Sequence, residues 1–80
     1  MKSYDRLLNL KRNLVVSKNS NGDITVYYEY SYIKGNGVLI GLYGKGKTFE
    51  EACDDYLNLI SGKTLIFETL SGNREEIQVL

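Results

Sequence analysis

Between Phe49 and Ile60 the apolar residues Phe49, Ala52, Cys53, Tyr56, Leu57 and Ile60 recur at the spacing of a single helix face. Thr48 and Glu51 stand where a capping box needs them, with the Thr48 hydroxyl on the third amide and Glu51 reaching back. Gly62 is placed to end that helix in a left-handed conformation. Upstream the period changes. In NLVVSKNSNGDITVYYEYSYI, Asn21-Gly22 is a turn signal between two β-rich runs, and KGNG at 34–37 separates YYEYSYI from VLIGLYG. These runs predict a three-stranded antiparallel meander. Downstream, KTLIFETL and REEIQVL flank SGN and read as a closing hairpin. At the start of the chain, Ser3 caps a short helix YDRLLNLK, with Tyr4, Leu7, Leu8 and Leu10 as a rough apolar stripe. The expected order is α-βββ-α-ββ. It describes an α+β domain in which the main helix lies across one face of an antiparallel sheet.

Strand parity extends this expectation. If Val16 pairs with Val26 and Tyr32 with Val38, one face gathers Leu14, Val16, Ile24, Val26, Tyr28, Tyr30, Tyr32, Val38, Ile40 and Leu42. That face is the expected core, since burying each large apolar group contributes about 1.5–3 kcal/mol. The opposite face holds Val15, Ser17, Thr25, Tyr27, Glu29, Ser31, Ile33, Leu39, Gly41 and Tyr43. A slip of one residue would exchange the two sets.

Composition narrows the class. Residues 1–80 make one domain, and a chain of this size buries only about 60% of its unfolded surface. Cys53 is the sole cysteine, so no disulfide forms within the chain and a reducing cytoplasm is the expected setting. MKSYDRLLNL carries charges and no long apolar core, so no signal peptide is expected, and no run approaches the roughly 18 apolar residues of a membrane span. The net charge of zero hides an asymmetry. Residues 1–48 carry eight Lys or Arg against three Asp or Glu, whereas residues 49–80 carry two against seven. Such halves either mark a bipolar surface or cancel when they interleave.

Residues 41–48, GLYGKGKT, fit the phosphate-loop pattern G-x-x-x-x-G-K-[ST]. Three features oppose a nucleotide enzyme. The preceding strand belongs to an antiparallel meander, whereas nucleotide folds wind a parallel sheet. Too little chain follows for further βαβ units of about 30 residues. No apolar strand ends in an aspartate that would hold magnesium. The glycines instead read as a strand residue (Gly41) and as the exit from the sheet (Gly44 and Gly46), with Thr48 as helix cap. Lys45, Gly46, Lys47 and Thr48 at a helix start still form a candidate anion site.

Other chemistry is sparse. Without histidine and with one cysteine, neither a histidine base nor a zinc site is available, and Cys53 falls on the apolar helix stripe. The acidic pairs Glu50/Glu51, Asp54/Asp55 and Glu75/Glu76 are adjacent in sequence rather than convergent. No catalytic residue, metal or cofactor is expected. Glu50, Glu51, Asp54 and Asp55 make an acidic helix face that either mimics a row of phosphates or is simply the wet side of the helix. Tyr27 and Tyr43, on one parity with Leu39, form a candidate contact surface, because tyrosine brings area, a polar tip and little entropy loss. The alternative is that the first helix covers this face through Leu7 and Leu8. Lysines interleaved with tyrosines also admit nucleic acid as a partner.

YGKGKTFEEACDDYLNLI resembles the strand-to-helix corner of HicB-type antitoxin domains, in which a β-meander precedes a G-x-T-x-E-E-A-like helix start. Gly46, Thr48, Glu50, Glu51 and Ala52 carry the likeness, which spans about residues 13–60; the chain departs from that family by ending in a hairpin without an appended DNA-binding segment. As a whole, a short chain rich in Tyr, Asn, Lys and Gly also resembles small phage and prophage proteins, anti-CRISPR proteins among them. These resemblances imply a non-enzymatic module that binds a host protein in the bacterial cytoplasm and inhibits a defence or nucleic-acid-processing enzyme. The alternatives are an antitoxin-like or anion-binding domain using the basic corner, a homodimer formed through an exposed apolar sheet face, and, last, a phosphate-loop nucleotide binder.

Overall fold

In a computed structural model of the chain, residues 3–35, 37–68 and 72–79 are described. The elements run α1 (Ser3–Leu8), β1 (Leu14–Lys18), β2 (Ile24–Tyr28), β3 (Ser31–Gly35), β4 (Val38–Ile40), β5 (Gly44–Gly46), α2 (Phe49–Ile60), β6 (Thr64–Glu68) and β7 (Arg74–Gln78). The α+β class holds: a short first helix, antiparallel strands, one main helix packed on the strands and a final hairpin. Instead of one meander there are two antiparallel sheets, ordered β1-β2-β5 and β4-β3-β6-β7.

The division falls inside ITVYYEYSYI. Tyr30 takes a left-handed conformation, φ 57°, which is uncommon for a bulky residue. The Ser31 hydroxyl donates to the Tyr28 carbonyl at 2.6 Å and closes the corner. The first part keeps the expected register, with Val16 opposite Val26. The second does not: Ile33 faces Ile40 and Gly35 faces Val38, so Tyr32 does not pair with Val38. This odd shift puts Ile33, rather than Tyr32, on the face of Val38 and Ile40. Ile33, expected outside, is buried, while Tyr30 at the corner and Val38 and Ile40 on the edge strand β4, expected in the core, are exposed. Val16 keeps its register but lies on the edge strand β1 and is also exposed.

The core gathers Leu7, Val26, Tyr28 and Ile33 with Cys53, Tyr56, Ile60, Leu65 and Phe67. Tyr28 is its hub. Its ring meets those of Tyr56 and Phe67 edge-on at 5.5 and 5.7 Å, its hydroxyl donates to the Leu7 carbonyl at 2.5 Å, and its N–H donates to the Tyr56 hydroxyl at 3.1 Å. Burial pushes both tyrosine hydroxyls up from their ordinary value, so both stay protonated, Tyr28 as a donor and Tyr56 as an acceptor. Ser3, expected as a cap, is the first residue of α1, and its hydroxyl donates to Asp54 on α2.

The helix start forms as expected, with one difference. Glu51 N–H donates to Thr48 Oγ1 at 3.1 Å, and the Glu51 carboxylate accepts from the Thr48 hydroxyl at 3.3 Å. Gly62, φ 75°, follows the Ser61 cap. Gly41 is not in a strand, whereas Gly44 and Gly46, expected as the exit from the sheet, form β5 itself. A Cβ on Gly44 would lie 2.3 Å from the Ala52 carbonyl oxygen and 2.4 Å from Tyr56 Cβ; one on Gly46 would lie 2.6 Å from the Ala52 nitrogen. Strand and helix meet backbone to backbone, which only glycine permits. Gly44→Ala is therefore expected to lower unfolding free energy in urea by about 3 kcal/mol or more. Gly41→Ala, with nothing within 4 Å of the added carbon, should be close to neutral. Equal stability of the two variants would contradict this packing.

Candidate functional site

The face of β1-β2-β5 turned away from α2 carries Val15, Ser17, Thr25, Tyr27 and Lys45, set side by side by the register Val15–Tyr27, Ser17–Thr25 and Thr25–Lys45. The first helix does not cover it: Leu7 is in the core, Leu8 is exposed, and the Tyr28 hydroxyl meets Leu7 on the α2 side. At the corner this face opens into a groove of about 620 Å³ lined by Tyr27, Glu29, Tyr30, Tyr32, Leu42 and Tyr43 among others. Tyr30 and Tyr43 are 61% and 57% exposed and Tyr27 36%, so aromatic surface dominates the opening. The Glu29 side chain accepts from Asn13 Nδ2 at 3.2 Å, a neutral partner.

Of the expected contact surface, the structure brings Tyr27 and Tyr43 into this groove and sends Leu39 elsewhere. Leu39 lies on β4, in the other sheet, beside a smaller cavity of about 230 Å³ with Lys34, Ile66 and Arg74. The corner at Tyr30 separates them. Tyr30 and Tyr32 are expected in the core, and Glu29 on the opposite face but outside the candidate contact surface. Their signal was the run YYEYSY, but nothing in it distinguishes an inward from an outward tyrosine once the parity breaks.

The basic corner is internally satisfied. Lys47 Nζ donates to Asp23 Oδ1 at 2.6 Å, and Lys45 Nζ lies 3.2 Å from Asp23 Oδ2. The Lys45 amide donates to Asp55 Oδ2 at 2.9 Å, and the Thr48 hydroxyl is taken by the cap. Gly46 lies in the antiparallel strand, opposite Ile24. Asp23 thus sits where an external anion would be bound. It too went unnoticed in the sequence, where it reads only as the residue after Asn21-Gly22; its N–H donates to Asn21 Oδ1 at 3.1 Å. The acidic helix face is likewise engaged. Glu51 serves the cap, Asp54 accepts from Ser3 and Asp55 from the Lys45 amide, while Glu50 lies exposed beside them. Arg12 bridges the basic and acidic halves of the chain, pairing with Glu75 and lying 4.9 Å over the Phe67 ring.

Burial pushes the Cys53 thiol up, away from the reactive thiolate. Among the described residues no group of three or more His, Cys, Asp or Glu side chains is arranged to hold a metal ion, and no helix is long and apolar enough to cross a membrane. No family model, curated protein or solved structure matches the chain. Four of the residues that carry the likeness to antitoxin domains have structural tasks here: Gly46 and Ala52 in the strand–helix contact, Thr48 and Glu51 in the cap.

Lys47, and after it Lys45, hold the Asp23 carboxyl below its ordinary value of 3.8, and Asp23 raises Lys47 above its ordinary 10.5. A lowered carboxyl contributes stability that is present above pH 3.8 and lost as the pH falls through the lowered value. A raised lysine contributes stability that is present below pH 10.5 and lost as the pH rises through the raised value. The stability difference between the wild type and Asp23→Asn, measured by urea unfolding, should be flat from about pH 5 to 9 and shrink in acid. A difference that persists to about pH 2 would contradict the pairing.

Proposed function

We propose that this chain is a binding protein without catalysis of its own, which engages a protein partner through the groove at the sheet corner. The observation that carries this reading is the exposure of Tyr27, Tyr30 and Tyr43 around one concavity. Isolated exposed apolar residues are ordinary, but tyrosines grouped around a groove are what protein interfaces enrich. The likeness to small phage proteins supports a bacterial protein of defence or nucleic-acid processing as the partner, met in the cytoplasm. Binding of nucleic acid or phosphate through Lys45 and Lys47 has less support, because both already pair with Asp23.

Tyr27→Ala with Tyr43→Ala removes two exposed rings without opening the core, so the double variant should unfold within about 1 kcal/mol of the wild type. Tagged wild type should retain a stoichiometric bacterial protein through a high-salt wash, and the folded double variant should lose it. Retention by the double variant, or release of nucleic acid alone on raising salt, would overturn the reading.

A further inference from the structure

The groove is aromatic, but one charge sits on it. Glu29 is the one charged residue among the described residues that line it, and it is only partly exposed. No cation among the described residues lies within ion-pair distance of its carboxylate; its side-chain partner is the Asn13 amide. Lys45, on the same sheet face, is already committed to Asp23. The tyrosine rings offer negative π-faces, and the carboxylate offers a full negative charge. Both features select a cation, and a planar guanidinium satisfies both at once by stacking on a ring while forking onto a carboxylate. The fold contains this arrangement once already: Arg12 lies over the Phe67 ring and pairs with Glu75.

We infer that the groove takes an arginine side chain of the partner polypeptide, stacked among Tyr27, Tyr30 and Tyr43 and paired with Glu29. This rests on the binding reading above and names the chemistry that the groove recognises. The volume, about 620 Å³, accommodates the side chain together with the backbone on either side of it.

The test is titration of the isotope-labelled full chain, followed through its amide resonances, at low ionic strength where surface charges are least screened. The probes are a blocked pentapeptide with one arginine among glycines and the same peptide with neutral citrulline. The arginine peptide should shift the amides of residues 27–32 and 41–43, and the citrulline peptide should bind about tenfold more weakly. Glu29→Gln, which keeps an oxygen for Asn13, should weaken the arginine peptide about tenfold, and Tyr43→Ala about threefold. Equal binding of the two peptides, no binding of either, or shifts centred on the acidic residues 50–55 would overturn the inference. The binding reading fails separately. If Glu29→Gln keeps a captured partner that the Tyr27/Tyr43 double variant loses, the face stands and the arginine is wrong.

Discussion

Tyr28 is fixed at its backbone N–H, its carbonyl, its ring and its hydroxyl, and the rest of the molecule is arranged around that residue. The N–H meets Tyr56, the carbonyl Ser31, the hydroxyl Leu7, and the ring packs between Tyr56 and Phe67. One side chain therefore ties α1, α2 and β6 to β2. A buried phenol is tolerable only because each polar atom finds a partner. With Tyr28 held this way, the strand does not run on; it turns at Glu29 and Tyr30 and starts again in a second sheet. In an 80-residue chain with no disulfide, this economy matters. One tyrosine serves as core filler, as hydrogen-bond hub and as the last residue before the corner.

The groove follows from the corner. A continuous strand would have kept Tyr28, Tyr30 and Tyr32 on one buried face. The turn instead leaves Tyr28 inside and swings Tyr30 outward, beside Tyr27 of the first sheet and Tyr43 just before β5. Opposite, the glycines of β5 let α2 press against the strand, which fills the inner face and leaves the tyrosine face as the open one. One of these glycines, Gly46, is also a defined position of the phosphate-loop pattern in GLYGKGKT, whereas Gly41, the other defined glycine, makes no helix contact. The lysines between and after the β5 glycines are drawn to Asp23.

Local chemistry was legible in the sequence, and long-range geometry was not. Thr48, Glu51 and Gly62 delimit α2 because capping is decided by neighbours a few residues apart. Asn21-Gly22 marks the first hairpin correctly, with the Gly22 N–H donating to the Asn19 carbonyl at 3.0 Å. The corner lacks any such mark. ITVYYEYSYI contains no glycine or proline, and apart from Glu29 and Ser31 it consists of β-formers. The distant Tyr56 and the local Ser31–Tyr28 bond break it, and with it goes the parity of Tyr30 and Ile33, while Val38 and Ile40 are exposed because β4 ends up at an edge. For the same reason Leu39 was grouped with Tyr27 and Tyr43, although it belongs to the other sheet. Asp23 was missed because its partners, Lys45 and Lys47, are more than twenty residues away.

The corner is the claim on which both the fold and the groove stand, so the most direct measurement is the strand register across it. Nuclear Overhauser contacts should place Leu14 opposite Tyr28, and then Ser31 opposite Phe67 and Ile33 opposite Leu65 in the second sheet. A contact pattern that continues past Tyr28 to set Tyr30 opposite Arg12, with Tyr32 opposite Val38, would describe one unbroken meander and contradict the account.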